Sequence, residues 1–277
     1  MTAEIVLMWI ALTVYVAGTA MFVLGVVFER EKWTHRAVLV SAIGLAPQIA
    51  SMAMRWIRLG HGPYLGFYEL TSALTLFTVV LLVGTAWRYP KMSSAGIVVM
   101  PLALLLIAAA MLAPKGGLDV GPTLASYWLF IHVIFSDLAF GCFVLSYGLA
   151  VAYVIRTRSA DGPWARRLSR LPDQDTVDRL SGRFVVAAFL FWGIMIASGA
   201  IWANEAWGRY WGWDPIETWS LIVWIIYAVY LHLRLTLGWR GERISWYAII
   251  AMPLAVFSVA GIPFVYRASI HAGYLAG

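Results

Sequence analysis

The chain has 277 residues, 62% of them hydrophobic and only 12% charged, with a formal net charge of +6. A water-soluble protein of this size cannot hide that much apolar surface in one core, and the charged share is about half that of a soluble domain. Long apolar runs between short charged loops define an all-α, polytopic membrane protein.

Eight runs are long enough to cross a hydrocarbon layer of roughly 30 Å at 1.5 Å per residue. They fall at 5–27, 37–56, 66–87, 94–112, 126–155, 184–203, 215–235 and 245–265. The first is preceded by MTAE, with no basic residue, and no small-residue cleavage site follows, so it is expected to persist as a helix. The loops after spans 1, 3, 5 and 7, counted with Arg234 at the inner end of span 7, hold 15 of the 20 Lys and Arg residues. The positive-inside rule then places both termini outside and the 156–183 loop in the cytoplasm. The basic charge is a topology signal, because no basic surface with interleaved aromatics lies outside the membrane to suit a nucleic acid.

The loop after span 1, EREKWTHRA, carries His35, which reads as a solvated loop residue. Between spans 2 and 3, GHGPYLGFYEL sets His61 on the outer face, near enough to be weighed as a contact for an external ligand. Span 5, SYWLFIHVIFSDLAFGCF, holds His132 in its outer third, Asp137 five residues on and the single Cys142. A carboxyl inside a span must be paired, protonated or turned to water, and Asp137 is a candidate acceptor orienting His132. A lone buried thiol behaves as a small hydrophobe, and its being alone excludes an internal disulfide or CxxC relay. The 156–183 loop, with Arg166, Arg167 and Arg170 near Trp164, suits either a short interfacial helix on an anionic leaflet or a solvated linker. No internal repeat is visible, and residues 1–277 read as one membrane domain.

Between spans 6 and 7 lies 202–219, WANEAWGRYWGWDPIETW, with five tryptophans, two glycines and four charged residues. An aromatic belt at headgroup level accounts for Trp202 and Trp219 at its edges, but poorly for WGRYWGWDP. Trp207 and Trp211 share a face if the segment is helical, and Gly208 and Gly212 leave backbone open to a flat ligand. Asp214-Pro215-Ile216-Glu217 has the form of an N-cap, a proline at N1 and an acid at N3, so both acids read first as caps of the seventh helix. A capped helix carrying a fixed aromatic shelf suits a large planar ligand. Haem fits, being flat and apolar-faced with charged propionates, and Arg209 is placed to pair with a propionate. The candidate contacts of this segment are Trp207, Arg209, Tyr210, Trp211, Gly212, Trp213 and Asp214. His232 lies near the inner end of span 7, roughly 20 Å deeper than its outer third. His271 lies just beyond span 8, in VYRASIHAGY.

WGRYWGWDPIETWSLIVW resembles the tryptophan-rich WWD segment of the CcsA (ResC) family of System II cytochrome c assembly. Its DPxETWSLIxW ending is similar to CcsA rather than to the related CcmC and CcmF proteins. The resemblance runs on through WIIYAVYLHLRLTLGWRGER to the C-terminus and is weaker over the first 120 residues. Ile216 departs from the family, which commonly has lysine there. The resemblance implies haem b (iron protoporphyrin IX) as cofactor, with His132 and His271 matching the family's two external axial ligands. It implies that His232 matches a transmembrane histidine pairing with one from a CcsB (ResB) membrane partner. The implied function is carriage of haem across the membrane and its presentation for thioether attachment to the CxxCH segment of apocytochrome c, within a haem lyase complex. A thiol-reducing protein would act indirectly. The location would be a bacterial plasma membrane, or a thylakoid if plastid-encoded.

Other functions are weighed on the same residues. A CcmC-like exporter that loads a haem chaperone is separated only by the ending of the tryptophan segment. A quinone-linked cytochrome b would place paired histidines along the same helices, and here no helix carries two. A transporter of another solute calls for discontinuous helices at mid-membrane, which the sequence does not display.

Overall fold

Helix α1 (Ala3–Val27) turns through a three-residue link into α2 (Glu31–Leu59), and the two pack along their length as a hairpin. Small residues set this contact: a side chain at Gly44 would meet the Tyr15 ring, and one at Gly18 would meet Ser41. Tyr15 donates to Gln48 Oε1 at 2.6 Å, and Gln48 passes a hydrogen bond to the Ser72 carbonyl at 2.9 Å, so a polar thread ties α1 and α2 to α3 (Phe67–Arg88). Pro90 opens a 3-10 turn, Pro90–Ala95, that leads into α4 (Gly96–Leu112).

Helices α5 (Tyr127–Arg158), α6 (Gln174–Trp207), α7 (Pro215–Leu235) and α8 (Glu242–Val256) complete the bundle. The chain continues through a π-helical turn, Phe257–Gly261, into α9 (Ile262–Val265). This is a computed structural model that describes residues 2–62, 64–116, 124–159, 162, 167 and 171–265. Eight helices are long and apolar enough to cross a membrane, and no strand occurs among the described residues. The protein is an integral membrane protein of all-α fold.

Helix α5 is the axis of the bundle, packed on α3, α6 and α8. Of its most apolar stretch 72% is buried, against 22% for α7, which leaves a broad face of α7 turned outward. Cys142, expected as an inert core thiol, is buried on α5.

Helices α2 and α6 run beyond the predicted spans 37–56 and 184–203. In α6 the added turns are amphipathic: Asp173 caps them by accepting from Thr176 N at 2.8 Å, while Val177 and Leu180 bury against Leu149 and Ala152 of α5. The hydropathy pattern marked only the lipid-length part of a longer helix. Span 8 is continuous through Val265, but its helix widens into a π turn at 257–261, and π turns of this kind cluster at functional sites.

The loops gather at two ends. At one, Arg158 pairs with Glu242 at 2.5 Å, Arg167 Nε donates to the Val27 carbonyl at 3.2 Å, and Gly241 N donates to Asp178 at 3.1 Å. At the other lie residues 60–62, 64–66, 113–116, 124–126 and 208–214. Ser126 Oγ bridges to Glu205 Oε2 there at 2.7 Å, fastening the start of α5 to the end of α6.

Candidate haem cleft

The tryptophan segment folds as a hinge between two fixed helix ends. Gly208, at φ 71°, ends α6 in the left-handed conformation that glycine adopts without a steric penalty. Six residues later α7 begins with the expected capping box. Asp214 Oδ1 accepts from Ile216 N at 2.9 Å, and Glu217 Oε2 accepts from Asp214 N at 3.2 Å. Glu217 does more than cap: the same oxygen accepts from Gly212 N at 2.7 Å. One carboxylate thus grips the backbone on both sides of Trp213, which is held at φ 56° with 70% of its surface exposed.

Beneath this segment opens a cleft of about 1190 Å³ of atom-free space, counted out through its mouth. Tyr210, Trp211, Ile216 and Glu217 form one wall; Tyr64, Leu65, Gly66 and Leu70 come from the start of α3. Helix α5 gives Leu129, His132, Val133 and Ser136, and α6 gives Trp192, Met195, Gly199 and Trp202. Ser258 and Val259 of the π turn close the remaining side. The surface is largely apolar with a few polar groups converging on it, as a planar amphipathic ligand requires.

His132 is seated with care. Its Nδ1 lies 2.8 Å from the Met195 carbonyl oxygen. A carbonyl only accepts, so Nδ1 carries the proton and the lone pair of the neutral ring is at Nε2. Histidines that bind metals are commonly fixed in this way by a second acceptor. The room for the ring comes from Gly199, where an added Cβ would stand 2.5 Å from Nδ1. The orienting acceptor is therefore a backbone carbonyl of α6 and not Asp137. Asp137 is buried on α5, with Oδ1 lacking a hydrogen-bond partner.

Across the cleft, burial and the nearby Glu69 carboxylate push the Tyr64 phenol above its ordinary value, which keeps it neutral. His61 lies behind this wall, buried, with Nδ1 3.9 Å from Glu69 Oε2 and its ring edge-on to Tyr64. Trp192, at the cleft floor, donates Nε1–H to the Ser220 carbonyl at 2.9 Å and packs on Phe143, which stacks on Tyr227 at 3.9 Å.

Of the sequence candidates, His132, Tyr210 and Trp211 meet on the cleft. Trp207 packs edge-on to Trp202 at 4.9 Å, behind the lining. Trp213 projects away from it, edge-on to Trp211 at 5.9 Å. Gly212 does not leave open backbone: the Arg209 guanidinium occupies the space a side chain there would take. Asp214 is buried as the helix cap. His232 is exposed on α7, 17 residues beyond Pro215 or about 25 Å along the helix, with its carbonyl accepting from Thr236 N at 2.9 Å. His271 lies outside the described residues. Sequence reasoning missed Tyr64, Trp192, Met195 and Gly199. Only the small-residue run Ser198-Gly199-Ala200 signalled a close approach.

Residues 64–267, which include every lining residue of the cleft, match the family model described as "Cytochrome C assembly protein". The chain belongs to this cytochrome c assembly family. Among its relatives, the "Cytochrome c biogenesis protein CcsA" of Gloeobacter violaceus is 29% identical over 96% of this chain and 95% of its own length. The protein of the same name from Parasynechococcus marenigrum is 32% identical, over 77% of this chain and 78% of its own. That of Chlamydomonas reinhardtii is 33% identical over 76% of this chain and 61% of its own. The fold is also that of a solved "Cytochrome c Heme Lyase CcmF". There the TM-score is 0.70 at 17% identity, covering 94% of this chain and 47% of that one, so this chain spans about half its length. As a CcsA-like member of the assembly family, the protein is an integral membrane component of cytochrome c biogenesis, and its membership implies haem handling.

Proposed function

We propose that the cleft holds haem b and presents it at the outer face of a bacterial plasma membrane, or of a thylakoid, for attachment to apocytochrome c. The observation that carries this reading is His132. Its tautomer is fixed by Met195 so that Nε2 bears the lone pair, and it stands in a cleft roofed by Tyr210 and Trp211. Haem supplies an iron with two axial positions and vinyl groups that accept thiols.

The chain's own residues bind and orient. His132 would hold the iron through Nε2, and His271 would hold it with a second imidazole. Leu129, Val133 and Trp202 set the plane of the ring system by shape. Holding the reacting groups in one geometry is the main catalytic contribution open to such a site. The sulfurs belong to the CxxCH segment of the apoprotein, kept reduced by a separate thiol-reducing protein; Cys142 is buried in the core and takes no part. His232, on the outward face of α7, serves a second, deeper haem position shared with a CcsB-type membrane partner. That position would feed the cleft.

Purified protein should carry b-type haem with a six-coordinate spectrum. His132→Ala should disturb that spectrum, with added imidazole restoring it. An unchanged spectrum in this variant removes His132 as a ligand and the reading with it.

A further inference from the structure

Behind the Tyr64 wall lies a set of buried charges that the haem reading does not use. Arg55 of α2 and Glu69 of α3 have side chains 5% and 2% exposed, and Arg55 Nε sits 2.8 Å from Glu69 Oε1. The other carboxylate oxygen accepts from Leu65 N at 2.9 Å. The remaining guanidinium nitrogens donate to the carbonyls of Lys115 and Gly116 at 3.2 and 3.0 Å. Glu4 of α1 stands 3.5 Å from Arg55 and is itself paired with Arg58 at 2.7 Å.

A buried ion pair is a weak device for stability, since apolar replacements of like volume are often neutral or stabilising. Its value is directional: a carboxylate and a planar guanidinium hold several partners at fixed angles. Here the partners are two loops. Leu65 and Gly66 line the cleft, and so does Leu124. Leu65 and Leu124 pack in one cluster with Leu129 and Val133, which flank His132 on α5, and with Trp202.

We propose that Glu69 and Arg55 are positioning residues of the haem site. They fix the wall opposite the tryptophan segment and, through Leu65 and Leu124, the setting of the α5 turn that carries His132. The proposal rests on the cleft being a haem site. It assigns work to a buried pair that touches no haem.

The test uses haem-loaded protein purified with its membrane partner. Glu69→Gln keeps the size and removes the charge. Arg55→Lys keeps the charge, but one ammonium cannot reach Glu69 and both carbonyls. The second variant serves if the first does not fold. Haem loss to excess apomyoglobin, the low-spin haem EPR signal and the thermal unfolding midpoint are read together. Glu69→Gln leaves Arg55 facing only Glu4, at 3.5 Å, and should unfold several degrees lower. Arg55→Lys should unfold within a few degrees of the parent. Both should lose haem about tenfold faster well below their midpoints, as expected for one weakened charge-assisted contact, with a shifted EPR signal. Haem loss and EPR unchanged from the parent overturn the proposal. So does haem loss that merely follows a fall in the unfolding midpoint, because the pair is then structural. A parent protein with no haem ligated by His132 instead defeats the haem reading itself, and is seen before any variant is made.

Discussion

His132 and Gly199 are fitted to each other across the α5–α6 contact: the imidazole fills the space that any side chain at 199 would need. A Cβ there would stand 2.5 Å from Nδ1, well inside contact distance. The same contact carries the hydrogen bond to Met195, one turn earlier on α6. Two residues of α6 therefore determine which ring nitrogen carries the proton.

Gly199→Ala should push the ring off its acceptor while leaving the helices in place. Overpacking of this kind costs about 1–3 kcal/mol. We expect haem retention to fall about ten- to hundredfold, with a Soret shift towards that of His132→Ala. Titration of haem into the stripped protein measures it. Retention and spectrum equal to the parent would show that the ring is not held where the structure places it.

Trp213 is a strained display. A side chain other than glycine in the left-handed region costs of order 1–2 kcal/mol, and Glu217 holds the backbone there from both sides. Trp213→Gly should therefore leave the unfolding midpoint unchanged or slightly raised, while lowering the yield of mature cytochrome c. Full yield in cells would mean that the exposed indole belongs only to the interfacial aromatic belt.

His232 is exposed on the least buried face of the bundle, about 25 Å from the start of α7. His232→Ala should reduce the amount of haem reaching the cleft when the partner is present, with the ligation of any haem that arrives unchanged. Haem content and spectrum of the purified complex decide this. Full loading would show that haem reaches the cleft by another route.

The rotation of α7 that turns His232 outward is set two residues later by Arg234. Its guanidinium is buried against Asp178, 2.7 Å from Oδ2, in space that Gly182 leaves clear. Asp178→Asn leaves that cation without its partner charge, a loss of about 3–5 kcal/mol for a buried pair. A fall of several degrees in the unfolding midpoint in detergent should follow. No fall would mean that the pair is hydrated in the membrane.

What the sequence disclosed and what it withheld divide along physical lines. The eight spans follow from hydropathy, because lipid demands apolar length, and the capping box at Asp214 follows from local backbone chemistry within four residues. The polar turns of α6 and the π turn at 257–261 escaped, since both depend on packing against α5 or on ladder geometry. Within the site, His132 stood out because a histidine in a span is costly. Its acceptor did not, because a backbone carbonyl 63 residues away leaves no mark in the side-chain pattern. The tryptophans were conspicuous as a group, yet only the folded loop sorts Trp211 onto the cleft, Trp207 behind it and Trp213 away from it. The Arg55–Glu69 pair was equally hidden, since the two charges lie on different helices.

The most direct test is a cryo-EM map of the haem-loaded protein with its membrane partner, sharp enough to place the porphyrin. The account predicts a ring between Trp211 and the Tyr64 wall, with its iron at bonding distance from His132 Nε2. A porphyrin bound elsewhere on the chain, or one in the cleft whose iron is not bonded to His132, would contradict it.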